Sequence, residues 1–482
     1  MGEPVRGATL TGSGGGPQVL MHINRVASDL GFGLGTCSKK GQDSPVTDAQ
    51  PILRIPNMVV GGPVPGLDYM PAGPQPARLL WDQGGLWSLF TLRACREQGL
   101  AITPISAAQV SAGGLAGAGL LVVPGGWPSR KLKALGVSGA QAVRDFVQAG
   151  GRYLGFCGGA GLALSVPDGL GLVSLGRAEG PQRLPGLSGP LWVAPGPAGE
   201  GHPLWRGLDQ PSLLNVWWPA QFAEPTAPEL KVLAVYGPPG PDLCTADMRM
   251  NEVDAARWPD HEAAYGQRLG PFSLEGRPAM IQARAGRGLL LLSYPHLDTP
   301  GDIPGGRALA NLWRAWLDSE PSPGPAAPEQ GRKAPALAGR LARQAQDLWQ
   351  LGLDLGLWRP RHPEMPLWRR GVRGLEFWEL CCLCQAVAQA TGPGETELIL
   401  LRELAAALEP IWRQAPEVLE AQAARLGGWQ PPESGACLER AWFPAPRRLD
   451  GPLARVLLLL EQALLQLESY RSPGSACSGE SG

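Results

Sequence analysis

Arg152-Tyr-Leu-Gly-Phe-Cys157-Gly-Gly-Ala160 is a short apolar run that stops abruptly at Cys-Gly-Gly. An Ala/Leu-rich, helix-compatible stretch follows it. Apolar strand, sharp glycine turn and helix in that order lift a side chain out of an α/β sheet, the geometry best known for serine in G-x-S-x-G. Gly155 and Gly159 flank Cys157 at that same spacing. The helix that follows would aim its N-terminal N–H groups and positive dipole end at the sulfur, which favours thiolate. The bland alternative is a buried structural cysteine beside a pair of packing glycines.

Two further strand ends bear on the choice. Gly288-Leu-Leu-Leu-Leu-Ser293-Tyr-Pro-His296-Leu-Asp298 runs from a buried strand into a histidine, with an acid two residues later. A cysteine nucleophile needs a base within hydrogen-bond reach and a third group to orient that base. Histidine is scarce, with five in 482 residues, and a strand-end histidine satisfied by solvent or a carbonyl is the plainer reading. Leu120-Leu-Val-Val-Pro124-Gly125-Gly126-Trp127 is another apolar strand ending in a glycine turn. Backbone N–H groups there, with that of Gly158, could form an oxyanion hole, although Pro-Gly-Gly marks a plain turn in any protein.

With these residues in view, the stretch from about Ala77 to about Leu317 resembles a class I glutamine amidotransferase-like domain of the biotin-protein ligase N-terminal type. The resemblance implies a flavodoxin-like parallel sheet, Cys157 as nucleophile, His296 as base, Asp298 as the orienting acid, and Gly125 and Gly126 at the oxyanion-loop position. The segment Leu214-Asn-Val-Trp-Trp-Pro-Ala-Gln-Phe222 falls where that family carries an aromatic and Gly-rich stretch. The chain also departs from the family. Gly161 stands four residues after the nucleophile, where glutaminase members usually carry Gln, and His296-Leu-Asp298 replaces the usual His-Pro-Glu. No Gly-Arg-Gly-Arg nucleotide-binding stretch is present, and Gly286-Arg-Gly288 reads as a hairpin turn. A complete biotin ligase is therefore not expected.

Composition sets the outer bounds. Net charge is −1, from 42 basic and 43 acidic residues, and no basic stripe points to nucleic acid. The nine cysteines are scattered through a long chain, as in reduced, cytoplasmic proteins. The longest aliphatic run, Val456 to Leu460, is too short to span a bilayer. Neither a cofactor motif nor a metal motif is read from the sequence, so no cofactor is expected. Cys381, Cys382 and Cys384 fall within one helix with no histidine near, and read as core thiols.

The expected organisation has five parts. Residues 1–75 are Gly/Pro-rich and expected to be disordered, with Arg54 to Val60 as their clearest apolar patch and Met21, Met58 and Met70 as alternative starts. Residues 76–319 form the α/β domain, in which strands alternating with helices imply a parallel sheet. Helices are expected over Leu86–Glu97, over Ser138–Gln148 with Ser138 as N-cap, and over Gly306–Asp318. A hairpin over Ala279–Leu292 delivers His296. Residues 320–335 are a Pro-rich linker. Residues 336–471 form an all-α domain of four or five amphipathic helices, and 472–482 are a disordered tail. Cys157, Gly125 and His296 all fall at strand carboxyl ends, where ligands bind in such sheets.

Two functions fit. One is a cysteine-dependent amidohydrolase or amidotransferase acting on a small amide or acyl substrate, with the helical domain as a docking surface for a protein partner. The other is a non-catalytic binding or regulatory module that keeps the fold. Thiol redox sensing by Cys157 would need no triad at all.

Overall fold

The computed structural model describes residues 76–178, 186–266, 269–270, 274–317, 335–361, 365–392, 394–443 and 451–471. The expectations for 1–75, for the 320–335 linker apart from Pro335, and for 472–482 lie outside the described residues.

Eleven strands form one sheet: β1 (Ala77–Leu80), β2 (Ile102–Ile105), β3 (Leu120–Val123), β4 (Arg152–Phe156), β5 (Leu187–Pro195), β6 (Ser212–Trp217), β7 (Lys231–Pro239), β8 (Cys244–Thr245), β9 (Met248–Arg249), β10 (Pro278–Ala285) and β11 (Gly288–Ser293). Their order is β2-β1-β3-β4-β11-β10-β7-β5-β8-β9, with β6 also paired to β5. The first five of that order are parallel to their neighbours. From β11 onward every pairing is antiparallel. The fold is thus α/β with a parallel half and an antiparallel extension. The central strands β3, β4 and β11 are almost wholly buried, which is why they read as continuous apolar runs rather than alternating ones.

The helices of this half are α1 (Leu86–Glu97), α2 (Ala107–Ser111), α3 (Pro128–Gln148), α4 (Gly158–Ala163), α5 (Trp258–Tyr265) and α6 (Ile303–Leu317). Ser106 and Gln109 close a capping box around α2, a signal that the sequence carried in Ser-x-x-Gln form. Helix α3 starts ten residues before the expected Ser138. It begins at Pro128 and is broken at Gly136, whose φ of 61° and ψ of −167° are non-helical. Proline at the first helical turn costs no hydrogen bond, so Pro128 starts this helix rather than preventing it. The expected boundary at Ser138 lies just past the break.

After Pro335 come α7 (Ala336–Asp354), the two-residue strands β12 (Trp358–Arg359) and β13 (Leu367–Trp368), then α8 (Gly374–Ala390), α9 (Glu395–Leu426), α10 (Glu433–Trp442) and α11 (Pro452–Arg471). Helices α7 and α8 pack together by their apolar faces, and both share one continuous core with the sheet half. Cys381, Cys382 and Cys384 are all buried on α8, and burial pushes the Cys381 thiol up to about 11.

The helical part is fastened to the sheet half by buried polar contacts as well as by apolar packing. The Trp81 indole donates to the Glu461 carbonyl at 2.8 Å. The Arg361 guanidinium lies over the Trp217 ring at 5.2 Å and donates to the Ser188 carbonyl. Arg96 pairs with Glu468.

Candidate active site

Strand β4 ends at Phe156, and the chain turns at Cys157 with φ 46° and ψ −102°. That is a left-handed backbone which non-glycine residues occupy only when their surroundings enforce it. Three contacts do so. The Cys157 N–H donates to the Ser293 carbonyl at 2.7 Å, the Gly161 N–H donates to the Cys157 carbonyl at 2.9 Å, and the Tyr153 hydroxyl donates to the Gly159 carbonyl at 2.7 Å. The flanking glycines are required by space. A Cβ on Gly155 would lie 2.7 Å from the Gly159 carbonyl carbon, and one on Gly159 would lie 2.0 Å from the Val123 oxygen. The turn is therefore a strained elbow of the kind read from the sequence. The helix behind it, α4, has six residues.

His296 follows the end of β11, the neighbour of β4 in the sheet. Its backbone is held by an N–H bond to the Asn215 carbonyl at 2.8 Å and by a bridge between Pro295 and Val216. The imidazole Nδ1 meets Asp298 Oδ1 at 2.8 Å. The other carboxylate oxygen of Asp298 accepts from the Thr91 hydroxyl at 2.5 Å, and Thr91 also donates to the Trp87 carbonyl at 3.0 Å. His296 and Asp298 are both buried.

Burial works against an imidazolium at His296 and is the largest single influence on it. The charge and hydrogen bond of Asp298, with a smaller share from Cys157, outweigh it and hold the imidazole up at about 9. Cys157 is thus close enough to His296 to act on its charge. In this conformation, however, Nε2 has no hydrogen-bond partner, and the thiol points to the Trp217 carbonyl at 3.8 Å.

Gly125 and Gly126, expected as oxyanion donors, stand at the same place. A Cβ on Gly125 would meet His296 Cε1 at 2.9 Å and the Trp87 ring at 3.1 Å. Gly126 has φ 100°, and a Cβ on Gly158 would lie 1.7 Å from the Gly126 oxygen. Gly158 is the first residue of α4, so its N–H has no acceptor within the helix. All six residues proposed from the sequence are therefore brought to one end of the parallel strands.

Several neighbours were not found from the sequence. The cleft over Cys157 has a volume of about 740 Å³ and is lined by residues of both halves, among them Trp87, Trp218, Trp368 and Arg370. Its far wall is a buried cluster of acids. Glu461 of α11 accepts from Gly84 N at 2.8 Å, Gly85 N at 2.6 Å and Gln83 N at 3.3 Å, and Glu379 of α8 accepts from Leu86 N at 3.1 Å. Two carboxylates thus cap the positive end of α1, where anions are favoured. Lys131 is fully buried beside them, and its charge neighbours are Glu461 and Asp82. Burial pushes Glu461 up and Lys131 down, and the opposite charge of each partly restrains the other.

Burial and the charge of Glu461 push Glu379 up to about 8 from an ordinary 4.5, while His296 stands at about 9 against an ordinary 6.5. The native state holds both protons more tightly than the unfolded chain does. The stability they add is complete below the ordinary values and is lost as pH rises through the native ones. The urea midpoint is therefore expected to fall between about pH 6 and about pH 9, and Glu379→Gln should flatten that fall. A midpoint rising over the same window would contradict the assignment.

Residues 87–165 match the family model described as biotin-protein ligase, N terminal. The matched stretch carries Thr91, Gly125, Gly126, Cys157, Gly158 and Gly161, and ends before His296 and Asp298. Among curated proteins, a metalloprotease TldD homolog of Haemophilus influenzae is 48% identical over 62 residues, 12% of this chain and 12% of that protein. A metalloprotease of Methanothermobacter thermautotrophicus is 43% identical over 60 residues, 12% of this chain and 13% of that protein. The chain thus spans about an eighth of the length of these relatives. Among the described residues, no group of three or more His, Cys, Asp or Glu side chains is placed to hold a metal ion.

Among solved structures, one assigned as a GMP synthase component of Thermoplasma acidophilum is 16% identical with a TM-score of 0.31, covering 50% of this chain and 92% of that one. A β-galactosidase of Rahnella sp. R3 is 15% identical with a TM-score of 0.31, covering 52% and 33%. Likenesses this distant say nothing about what the chain does. No helix among the described residues is long and apolar enough to cross a membrane.

Proposed function

We propose that the chain is a cysteine-dependent amidohydrolase or amidotransferase-like enzyme with Cys157, His296 and Asp298 as its triad. The observation that carries this reading is the convergence of a strained cysteine elbow with a buried His296–Asp298–Thr91 relay at one end of the sheet. The Cys157 thiolate, its proton already held on His296 Nε2, attacks the amide carbon. The carbonyl oxygen becomes an oxyanion facing the N–H groups of Gly126 and Gly158. The C–N bond then breaks, and His296 returns the proton to the leaving nitrogen. Water, deprotonated by His296, cleaves the thioester to release the acid and restore the thiol. Asp298 keeps Nδ1 protonated and stabilises the imidazolium throughout. In an amidotransferase the released ammonia would pass to an acceptor protein, and the helical part, with Ile399 and Trp429 exposed, is the surface proposed to receive it.

Ammonia release from a panel of primary amides tests the reading. Wild type should release ammonia, and Cys157→Ala should lose at least about a thousandfold in rate. Equal release by both proteins would remove Cys157 from the chemistry. A second reading, a binding module without turnover, is favoured by Gly161 in the place of the usual Gln and by the thiol resting on the Trp217 carbonyl. It predicts amide binding with no ammonia release.

A further inference from the structure

Three of the five indoles that line the cleft, Trp87, Trp218 and Trp368, come from three separate parts of the chain and pack in a row beside the nucleophile. Trp87, on α1, lies against the His296 ring with centroids 4.9 Å apart and a 34° tilt. Trp218 follows β6 and meets Trp87 edge-on at 6.3 Å. Trp368, in β13, packs on Trp218 at 4.9 Å and 33°. The result is a continuous aromatic wall that starts at the proposed base and crosses into the helical part.

All three residues keep part of their surface open, whereas the adjacent Trp217 is buried. Trp218 holds this place at φ 49°, a backbone that bulky residues avoid. Its N–H bond to the Leu187 carbonyl at 2.8 Å pins it there. Strain of this kind at a cleft points to use of the side chain. Side chains of both charges also line the cleft: Arg373 pairs with Glu376, and Arg370 lies over the Tyr265 ring at 3.8 Å. Flat indole faces select flat ligands by offset or edge-on stacking.

We infer that the cleft takes amides bearing a planar aromatic group, with Trp218 and Trp368 as the residues that determine this specificity. The inference rests on the reading of the Cys157 cleft as an amide site. The reacting carbonyl lies at Cys157, and the aromatic group lies against the indoles, on either the acyl or the nitrogen side of the amide.

The test is calorimetric binding to full-length Cys157→Ala, which needs no turnover. The probes are 2-phenylacetamide (ring on the acyl side), N-benzylacetamide (ring on the nitrogen side), propionamide and L-glutamine. At least one aryl amide should bind at least about tenfold more tightly than propionamide or glutamine. That preference should shrink to less than about threefold when Trp368→Leu, or Trp218→Asn, is added. Asparagine tolerates the left-handed backbone, and circular dichroism with a thermal melt establishes that each variant is folded. Equal affinities for all four probes, no aryl binding, or a preference that survives both tryptophan substitutions would overturn the inference. Failure of the catalytic reading looks different: aryl amides would bind selectively, and wild type would release neither ammonia from 2-phenylacetamide nor benzylamine from N-benzylacetamide.

Discussion

Asp298→Asn is expected to lower amide turnover by roughly 10³–10⁴ while leaving the protein folded. The geometry around Asp298 explains why the effect should be so one-sided. Its Oδ1 faces His296 Nδ1, and its Oδ2 accepts from Thr91. An asparagine that keeps its oxygen on the Thr91 hydroxyl turns its NH₂ toward Nδ1 and so holds the imidazole in the tautomer that carries its proton on Nε2, where it can no longer take a proton from the thiol. Both contacts survive, while the base and the negative charge are lost. That charge is what outweighs the burial of His296 and holds the imidazole at about 9. Without it burial prevails, and the imidazole should titrate well below that value. Ammonia-release kinetics read the loss of turnover, and an NMR titration of the imidazole reads its cause. Unchanged turnover with a lowered imidazole pKa would mean that His296 is not the base.

Glu461→Ala is expected to have the largest effect on stability, about 2–4 kcal/mol, because it removes a buried acid that caps α1 and offsets the charge of the buried Lys131. Glu461 is 4% exposed and Lys131 is 0% exposed, so neither charge has water to fall back on. The same substitution strips the acceptor from the N–H groups of Gly84 and Gly85 and opens a void at the start of α1. Glu461→Gln keeps one acceptor oxygen and the volume, and should cost less than the alanine variant. Urea unfolding of the three proteins measures the order. Limited proteolysis shows whether the helical part loosens first, since Glu461 joins it to the sheet half. Equal stability for wild type and the alanine variant would mean that this cluster does not hold the two parts together.

Much of the sheet and of the candidate site was legible because it depends on local signals. Strands β3, β4 and β11 announce themselves as apolar runs stopped by glycine or proline. Their common direction places Gly125, Cys157 and His296 at one edge without any long-range information. The strain at Cys157 was legible too, since a nucleophile between Gly155 and Gly159 has few other uses for that pattern.

The roof of the cleft was not legible. Trp368 meets Trp218, and Glu379 and Glu461 meet residues some 290 to 380 positions earlier in the chain, and helical periodicity says which face is buried, not what covers it. One signal was present and unused. Glu461 and Glu468 stand seven residues apart, in line with Leu457 and Leu464 on the apolar stripe of α11, and both are buried. Acids on such a stripe are seldom buried without a partner. Thr91 gave no sign at all, because a threonine inside a helix is ordinary until its neighbour across the fold is known. The start of α3 was missed because no helical signal was read between Trp127 and Ser138, although Pro128 suits a first helical turn.

The central claim is that His296 activates Cys157, and the rate of Cys157 alkylation by iodoacetamide tests it most directly. Mass spectrometry of the Cys157 peptide separates this thiol from the other eight cysteines. At neutral pH, His296→Ala should alkylate at least about tenfold more slowly than wild type, since the base that takes the thiol proton is gone. Equal rates in the two proteins would contradict the account and leave Cys157 a thiol at a strained turn with no base to serve it.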